Sequence, residues 1–167
     1  MKKIGLFYKT DSSKTALVAQ KIQQEFGKGI DIIHIEKAWK KEFESYDNII
    51  AGTSTWFDGE LPTYWDELIP ELETLNLQNK KVAIFGLGDQ VNYPDNFVDG
   101  IGILAEAMEK AGATVIGYTS PADYQFNQSL ALKDNRLSGL AIDIENQSDK
   151  TEKRIKAWVK QLKQEFE

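Results

Sequence analysis

Five short apolar runs, separated by helix-sized amphipathic segments, constrain this chain more than any other feature. They lie at residues 4–8, 30–35, 48–51, 82–87 and 113–118. Each is rich in Ile or Val and bounded by Gly, Asp or Lys, which is the pattern of strands buried on both faces. Between them, segment 15–26 places Leu17, Val18, Ile22 and Phe26 on roughly one face. Segment 63–72 follows Pro62, a residue suited to a first helical turn. Segment 97–111 gathers Ile101, Leu104, Ala105 and Met108, and stops at Gly112, a good C-cap. The last segment, 151–166, repeats Ile155, Trp158, Val159 and Leu162 with lysines outside. Strand and helix units in alternation require a parallel sheet covered on both faces. Right-handed crossovers then predict an α/β fold with a doubly wound five-stranded parallel sheet, in a single domain over residues 1–167.

One stretch, residues 119–138, does not fit this alternation. It is polar, contains Tyr124 and Phe126, and precedes a further strand-like run, Gly139-Leu140-Ala141-Ile142-Asp143. A loop that long inside a compact domain is usually functional or has structure of its own.

Composition narrows the function classes. A net charge of −6 argues against nucleic acid as the main partner and permits attraction to a basic protein surface. With no cysteine, disulfides, thiolate metal sites and Cys nucleophiles are excluded. Met1-Lys2-Lys3 leads into an apolar run too short for a signal peptide or a membrane span, so a cytoplasmic protein is expected.

Open α/β sheets bind ligands beyond the carboxyl ends of their strands. The loop after the first strand, Thr10-Asp11-Ser12-Ser13-Lys14-Thr15, opens a helix with four hydroxyls and a lysine. A helix N-terminus carries about half a positive charge and up to about four unpaired donors, so a phosphate is its natural guest. An ordinary Ser-rich cap reads the same way. The loop after the third strand runs from small hydroxyl residues into Trp56-Phe57 and a turn dipeptide, Asp58-Gly59. The loop after the fourth, Gly86-Leu87-Gly88-Asp89-Gln90-Val91-Asn92-Tyr93-Pro94-Asp95-Asn96-Phe97, supplies Tyr93 among polar groups. Trp39, Trp65 and Trp158 are read as core, and Trp56 as a site residue. A phosphate cradle flanked by two loop aromatics suits a flat heteroaromatic ring with a phosphate tail.

On these residues the chain resembles the long-chain flavodoxins, one-electron carriers that bind flavin mononucleotide (FMN). The resemblance covers the whole length. It is carried by Gly86-Leu87-Gly88-Asp89-Gln90 with Tyr93-Pro94, and by Gly139–Asp143 running into Asn146-Gln147-Ser148-Asp149. Ile4–Tyr8 and Thr55-Trp56 with Gly59-Glu60-Leu61 agree as well. It implies strand order 2-1-3-4-5, with the fifth strand split by the insertion at 119–138. It implies a phosphate held by Thr10, Ser12, Lys14 and Thr15, with backbone amides from Asp11 and Ser13. Ser54 and Thr55 would lead over the ribityl chain, and Trp56 and Tyr93 would cover the two faces of the ring. Leu87, Gly88 and Asp89 would face the pyrimidine edge, with Asp89 accepting from ring N3–H and with Asn96 and Phe97 completing that loop. The Phe57–Asp58 peptide would flip to accept from N5–H of the neutral semiquinone, in a turn closed by Gly59 that needs φ > 0 at Asp58.

The chain departs from the family where Lys9 and Ser13 replace the usual glycines, where Ser54 precedes Thr55, and where Phe57 follows Trp56. Ser13 keeps its N–H available provided its φ stays negative. Asp11 is expected to place a carboxylate beside the phosphate and weaken binding. Asp58, Glu60, Asp89 and Asp95 would surround the ring without a compensating cation, which predicts a low semiquinone-to-hydroquinone potential. The same acidic rim would steer basic redox partners to a monomeric carrier. A ferredoxin-NADP reductase-like enzyme, photosystem I, or a low-potential reductase or oxidase would serve. The alternative on this fold is an FMN-dependent reductase of quinones or small acceptors, but two capped ring faces leave only an edge for transfer. A receiver domain would need paired acids after the first strand and an Asp ending the third, where this chain has Lys9-Thr10 and Thr53-Ser54. Lys14-Thr15 lacks the spaced glycines of a nucleotide-hydrolase loop. His34, inside a strand pattern, is read as structural.

Overall fold

The computed structural model describes residues 2–56 and 58–167. Strands β1 (Ile4–Tyr8), β2 (Ile30–His34), β3 (Asn48–Ser54), β4 (Lys81–Leu87) and β5 (Thr114–Ile116) form a parallel sheet in the order β2-β1-β3-β4-β5. Successive side chains on a strand point to opposite faces. Phe7, Ile49, Ala51, Val82 and Ile84 therefore enter one apolar layer, while Ile4, Leu6, Tyr8, Ile50, Ala83 and Phe85 enter the other. Both layers need a helical cover, and this is why the central strands read as unbroken apolar runs.

Helix α1 (Lys14–Phe26) covers the second layer with Val18, Ile22 and Phe26. Leu17 is not on that face: it is half-exposed, and Ala16 and Ala19 widen the buried stripe instead. A short α2 (Lys40–Glu44), absent from the sequence reading, buries Phe43 against Phe7, their rings stacked 4.4 Å apart. Trp39, its N-cap, is 61% exposed and so is not core. The helix predicted at 63–72 is two pieces, α3 (Thr63–Asp66) and α4 (Ile69–Leu72). Pro70 lies in the first turn of α4, where its missing N–H costs nothing; in a continuous helix its ring would clash with the carbonyl of Asp66. Helix α5 (Asp99–Lys110) covers the first layer. It starts two residues later than predicted because Val98 has φ 47°, a left-handed conformation that no helix accepts. It stops at Gly112 (φ 100°), with Ala113 N–H donating to Met108 O at 3.0 Å, a Schellman closure.

The fifth position of the sheet is shared. Lys81–Ala83 of β4 pair with β5, and the chain leaves the sheet at Gly117 (φ 78°). It makes a small antiparallel hairpin, β6 (Leu132–Lys133) and β7 (Arg136–Leu137). Asp134 and Asn135, both at positive φ, form its two-residue turn. The chain then returns as β8 (Leu140–Ile142), which pairs with Phe85–Leu87 of β4. The insertion is seated on the molecule rather than trailing from it. Tyr124 and Phe126 pack on the buried Phe97 ring at centroid distances of 5.5 and 5.1 Å. Burial drives the Tyr124 hydroxyl up to about 12, and it donates to Ala141 O at 2.5 Å. A Cβ at Gly102 would lie 2.2 Å from Leu130 O, so α5 meets the insertion backbone to backbone. The chain closes with α6 (Ile144–Gln147) and α7 (Thr151–Glu165), which lays Ile155, Trp158, Val159 and Leu162 on the second layer.

Candidate functional site

The strand order reverses between β1 and β3, since the chain passes from β1 outward to β2 and then back across to β3. Beyond the carboxyl ends of β1, β3, β4 and β8 lies a cavity of about 400 Å³. Four loops converge on it, one more than the sequence reading used.

At one end lies the loop after β1. Ser12, Ser13, Lys14 and Thr15 line the cavity. Ser12, just before the N-cap Ser13, ties the loop to the helix: its Oγ donates to Lys9 O at 2.6 Å and accepts from Ala16 N–H at 3.2 Å. Ser13 has φ −80°, so its N–H keeps the orientation that a glycine there would give. Among the described residues, the N–H groups of Ser13, Lys14 and Thr15 have no acceptor within the protein. Three free backbone donors at a helix N-terminus, beside the Thr15 hydroxyl, fit a phosphate.

The charged and remaining hydroxyl groups of this loop are arranged differently from expectation. Thr10 and Asp11 stand outside the cavity lining. Thr10 turns to His34, with N–H and Oγ1 at 3.1 and 2.6 Å from Nδ1. Asp11 is drawn aside by Lys9 at 3.1 Å, which holds its carboxyl below the ordinary range. Lys9 also pairs with Glu36 and is held above its own range by both acids. The carboxylate that does face the phosphate end is Glu145, paired with Lys14. It follows β8, and so stands at the same sheet edge as the other loops.

The other end is aromatic. Trp56 and Tyr93 line the same cavity and are 40% and 48% exposed. Tyr64, from the first turn of α3, completes the wall with its ring edge-on to Trp56 at 6.3 Å. Ser54 and Thr55 reach the cavity, Ser54 as the last residue of β3 rather than as loop. Thr55 Oγ1 accepts from Gly100 N–H at 2.9 Å and so fastens the loop to α5. Leu87, Gly88 and Asp89 line the floor, and Ile144 the side.

Several polar and buried groups here are placed differently from expectation. The Asp89 carboxylate is engaged by its own surroundings: Oδ1 accepts from Val91 N–H, Asn92 N–H and Asn146 Nδ2, and Oδ2 from Asn92 Nδ2, at 2.7–3.1 Å. Burial pushes the group up, but these donors together outweigh it, and its carboxyl lies below the ordinary range. What Asp89 presents to a ligand is therefore mainly backbone. Phe97 is fully buried under the insertion, and Asn96 is turned away, donating to Asp58 O at 3.0 Å. Neither lines the cavity, nor do Asp58 and Gly59. Trp56 and Glu60 close the turn, Trp56 N–H donating to Glu60 O at 2.7 Å and Glu60 N–H to Trp56 O at 2.8 Å, with Gly59 at φ 93°. Phe57, and with it the Phe57–Asp58 peptide, lies outside the described residues.

Lys9, Tyr64, Ile144 and Glu145 are the lining residues that the sequence reading did not assign. A signal existed for three of them: Tyr64 follows Pro62 directly after the Trp56 loop, and Ile144 and Glu145 follow the last apolar run.

A doubly wound sheet of this order, with free helix-N-terminal donors and exposed loop aromatics in one cavity at its switch point, defines a protein of the flavodoxin-like fold class. The family model described as Flavodoxin matches residues 6–158. The chain is 47% identical to a flavodoxin of Synechococcus elongatus, over 99% of each chain. It is 38% identical to flavodoxin 1 of Escherichia coli, over 97% of this chain and 93% of that one. A crystal structure of a Fusobacterium nucleatum flavodoxin bound to flavin mononucleotide superposes over the full length of both chains, with a TM-score of 0.95 and 32% identity. The chain belongs to the flavodoxin family.

Proposed function

We propose that this protein is a non-covalent FMN-binding electron carrier rather than an enzyme, built as a single domain over residues 1–167. It would shuttle single electrons between redox proteins while its flavin cycles between one-electron- and two-electron-reduced forms. The observation that carries this reading is the pairing, in one cavity, of three free backbone donors with two exposed aromatics. The donors of Ser13, Lys14 and Thr15 would hold the phosphate, with the Thr15 hydroxyl. Ser54 and Thr55 would follow the ribityl chain, and Trp56, Tyr93 and Tyr64 would enclose the ring. Leu87, Gly88 and the backbone of Asp89 would read the pyrimidine edge. FMN supplies the redox chemistry; the aromatics exclude water from it, which strengthens the influence of every nearby charge.

Asp58, Glu60, Asp89 and Asp95 would disfavour the anionic, fully reduced flavin and so set a low second potential. The same charges would steer a basic partner to the exposed ring edge of a cytoplasmic monomer, with association slowed by salt. The partner would be a reductase of the ferredoxin-NADP type, photosystem I, or another low-potential reductase or oxidase. Titration of the apoprotein with FMN and with riboflavin tests the reading. A yellow one-to-one FMN complex that turns blue on partial reduction is expected, with weaker riboflavin binding. A colourless protein indifferent to both ligands would overturn it. With reduced nicotinamide as sole donor, the carrier should show almost no steady-state turnover.

A further inference from the structure

The N-terminus of α5 carries a hydrogen-bonded arrangement that lies outside the cavity lining. Asp99 is buried, with 4% of its surface exposed, and among the described residues no Lys or Arg pairs with it. Its Oδ1 accepts from Leu130 N–H of the insertion at 2.8 Å. Its Oδ2 lies 3.3 Å from Asn96 Nδ2, and that same nitrogen donates to Asp58 O at 3.0 Å. A Cβ at Gly59 would stand 2.5 Å from Asp99 Oδ2 and 2.9 Å from Asn96 Nδ2, so the carboxylate is pressed directly beneath the turn. The residue before it, Val98, is a buried β-branched residue at φ 47°. Such a conformation persists only where the surroundings over-determine it. Here the Val98 side chain is packed so tightly that a Cβ at Gly88 would come within 2.9 Å of its Cγ1.

We propose that Asp99, acting through Asn96, is a positioning residue that clamps the 56–60 turn to the insertion and thereby sets the reduction potentials of the bound flavin. The proposal rests on the flavin-carrier reading. With Asp58 O held from below by Asn96, the Asp58–Gly59 peptide is fixed, so a conformation of the turn that breaks this bond costs more than one that keeps it. The carboxylate adds a second effect, because a buried negative charge under the turn disfavours a further negative charge on the flavin. Burial also pushes the Asp99 carboxyl up, against the donors from Leu130 and Asn96, as expected for an acid kept out of water.

The two effects separate in two variants. N96A removes the clamp and keeps the charge; D99N weakens the clamp and removes the charge. Redox titration of the FMN-loaded N96A protein should show the first reduction about tenfold less favoured, a fall of ~59 mV, with the second near its wild-type value. D99N should lower the first potential and raise the second by a similar factor. Amide exchange at Gly59 and Glu60 in the flavin-free protein should quicken about tenfold in both variants. Unchanged potentials in a variant whose turn exchanges faster would overturn the proposal, and so would unchanged exchange. A wild-type chain that takes up no FMN would defeat the flavin reading instead, and the exchange rates would still decide whether the clamp exists.

Discussion

The two ends of the cavity are built on opposite plans. At the phosphate end the backbone is left free and the side chains are paired. Ser13, Lys14 and Thr15 keep unpartnered N–H groups, while Lys9 is tied to Asp11 and Glu36, Lys14 to Glu145, and Thr10 to His34. At the ring end the polar groups are consumed and the apolar ones are left free. Asp89, Asn96 and Thr55 each fasten a loop, while Trp56 and Tyr93 remain half-exposed. On the proposed reading, one end would bind through directional hydrogen bonds to preorganised amides, and the other through stacking area on loops that polar bonds keep in place. At the phosphate end charge contributes less directly than the lysines suggest, because Lys9 and Lys14 are already paired with acids.

Substitutions can break this contrast. The largest effect belongs to Trp56→Ala, which should weaken FMN and riboflavin alike by about 100-fold, as the loss of a large stacking surface requires. A loss confined to FMN would mean that Trp56 does not cover the ring. Thr15→Val removes a hydroxyl at nearly constant shape. It should cost FMN affinity about tenfold, typical of one hydrogen bond to a charged group, and leave riboflavin unchanged. Equal losses for both ligands would place the phosphate elsewhere.

Smaller effects sharpen the comparison of acids at the phosphate end. Glu145→Gln should tighten FMN by about threefold at low salt by releasing Lys14 and removing a facing carboxylate, with the gain fading as salt is added. Asp11→Asn should change affinity by less than about twofold, since Lys9 already draws that carboxylate aside. The reverse ranking, measured by flavin fluorescence, would show that the loop rearranges around its ligand.

The smallest effects are in stability against pH, and they have opposite signs at two acids of the ring end. Asp99 has a raised carboxyl, so its protonated form stabilises the fold below about pH 4, and that contribution is lost as pH rises through the folded value. Wild-type apoprotein should lose ground to Asp99→Asn as pH increases. Asp89 has a lowered carboxyl, so its contribution is present above about pH 4 and lost as pH falls through the folded value. Wild type should gain on Asp89→Asn over the same rise. Urea unfolding from about pH 3 to about pH 7 checks both, and equal slopes for the two variants would contradict the hydrogen bonds assigned to Asp89.

Much of this was legible in the chain. Alternating apolar runs and amphipathic segments specify a parallel sheet and its helical covers, because strand and helix periodicities are local properties of sequence. The free donors after β1 were legible for a similar reason: a helix N-terminus exposes its own N–H groups whatever packs around it. Trp56 and Tyr93 stood out as aromatics in loops at strand ends. Other assignments failed where the outcome depended on a distant partner. Trp39 has the composition of a core residue and is exposed; Phe97 sits in a site loop and is buried by Tyr124 and Phe126, about thirty residues away in sequence. Asp11 lies in the loop after β1, yet its carboxylate is held aside by Lys9, which Glu36 positions in turn.

By itself, then, the sequence determined the layered fold, the position of the cavity at the strand ends, and the backbone donors that face it. Those features follow from periodicity and from the geometry of a helix end. Tertiary structure alone decided which carboxylate faces Lys14, which tyrosine closes the aromatic wall, and that Asp99 reaches the 56–60 turn from beneath. Each of these depends on segments remote in sequence meeting at one edge of the sheet, and hydrogen bonds and ion pairs form between neighbours in space.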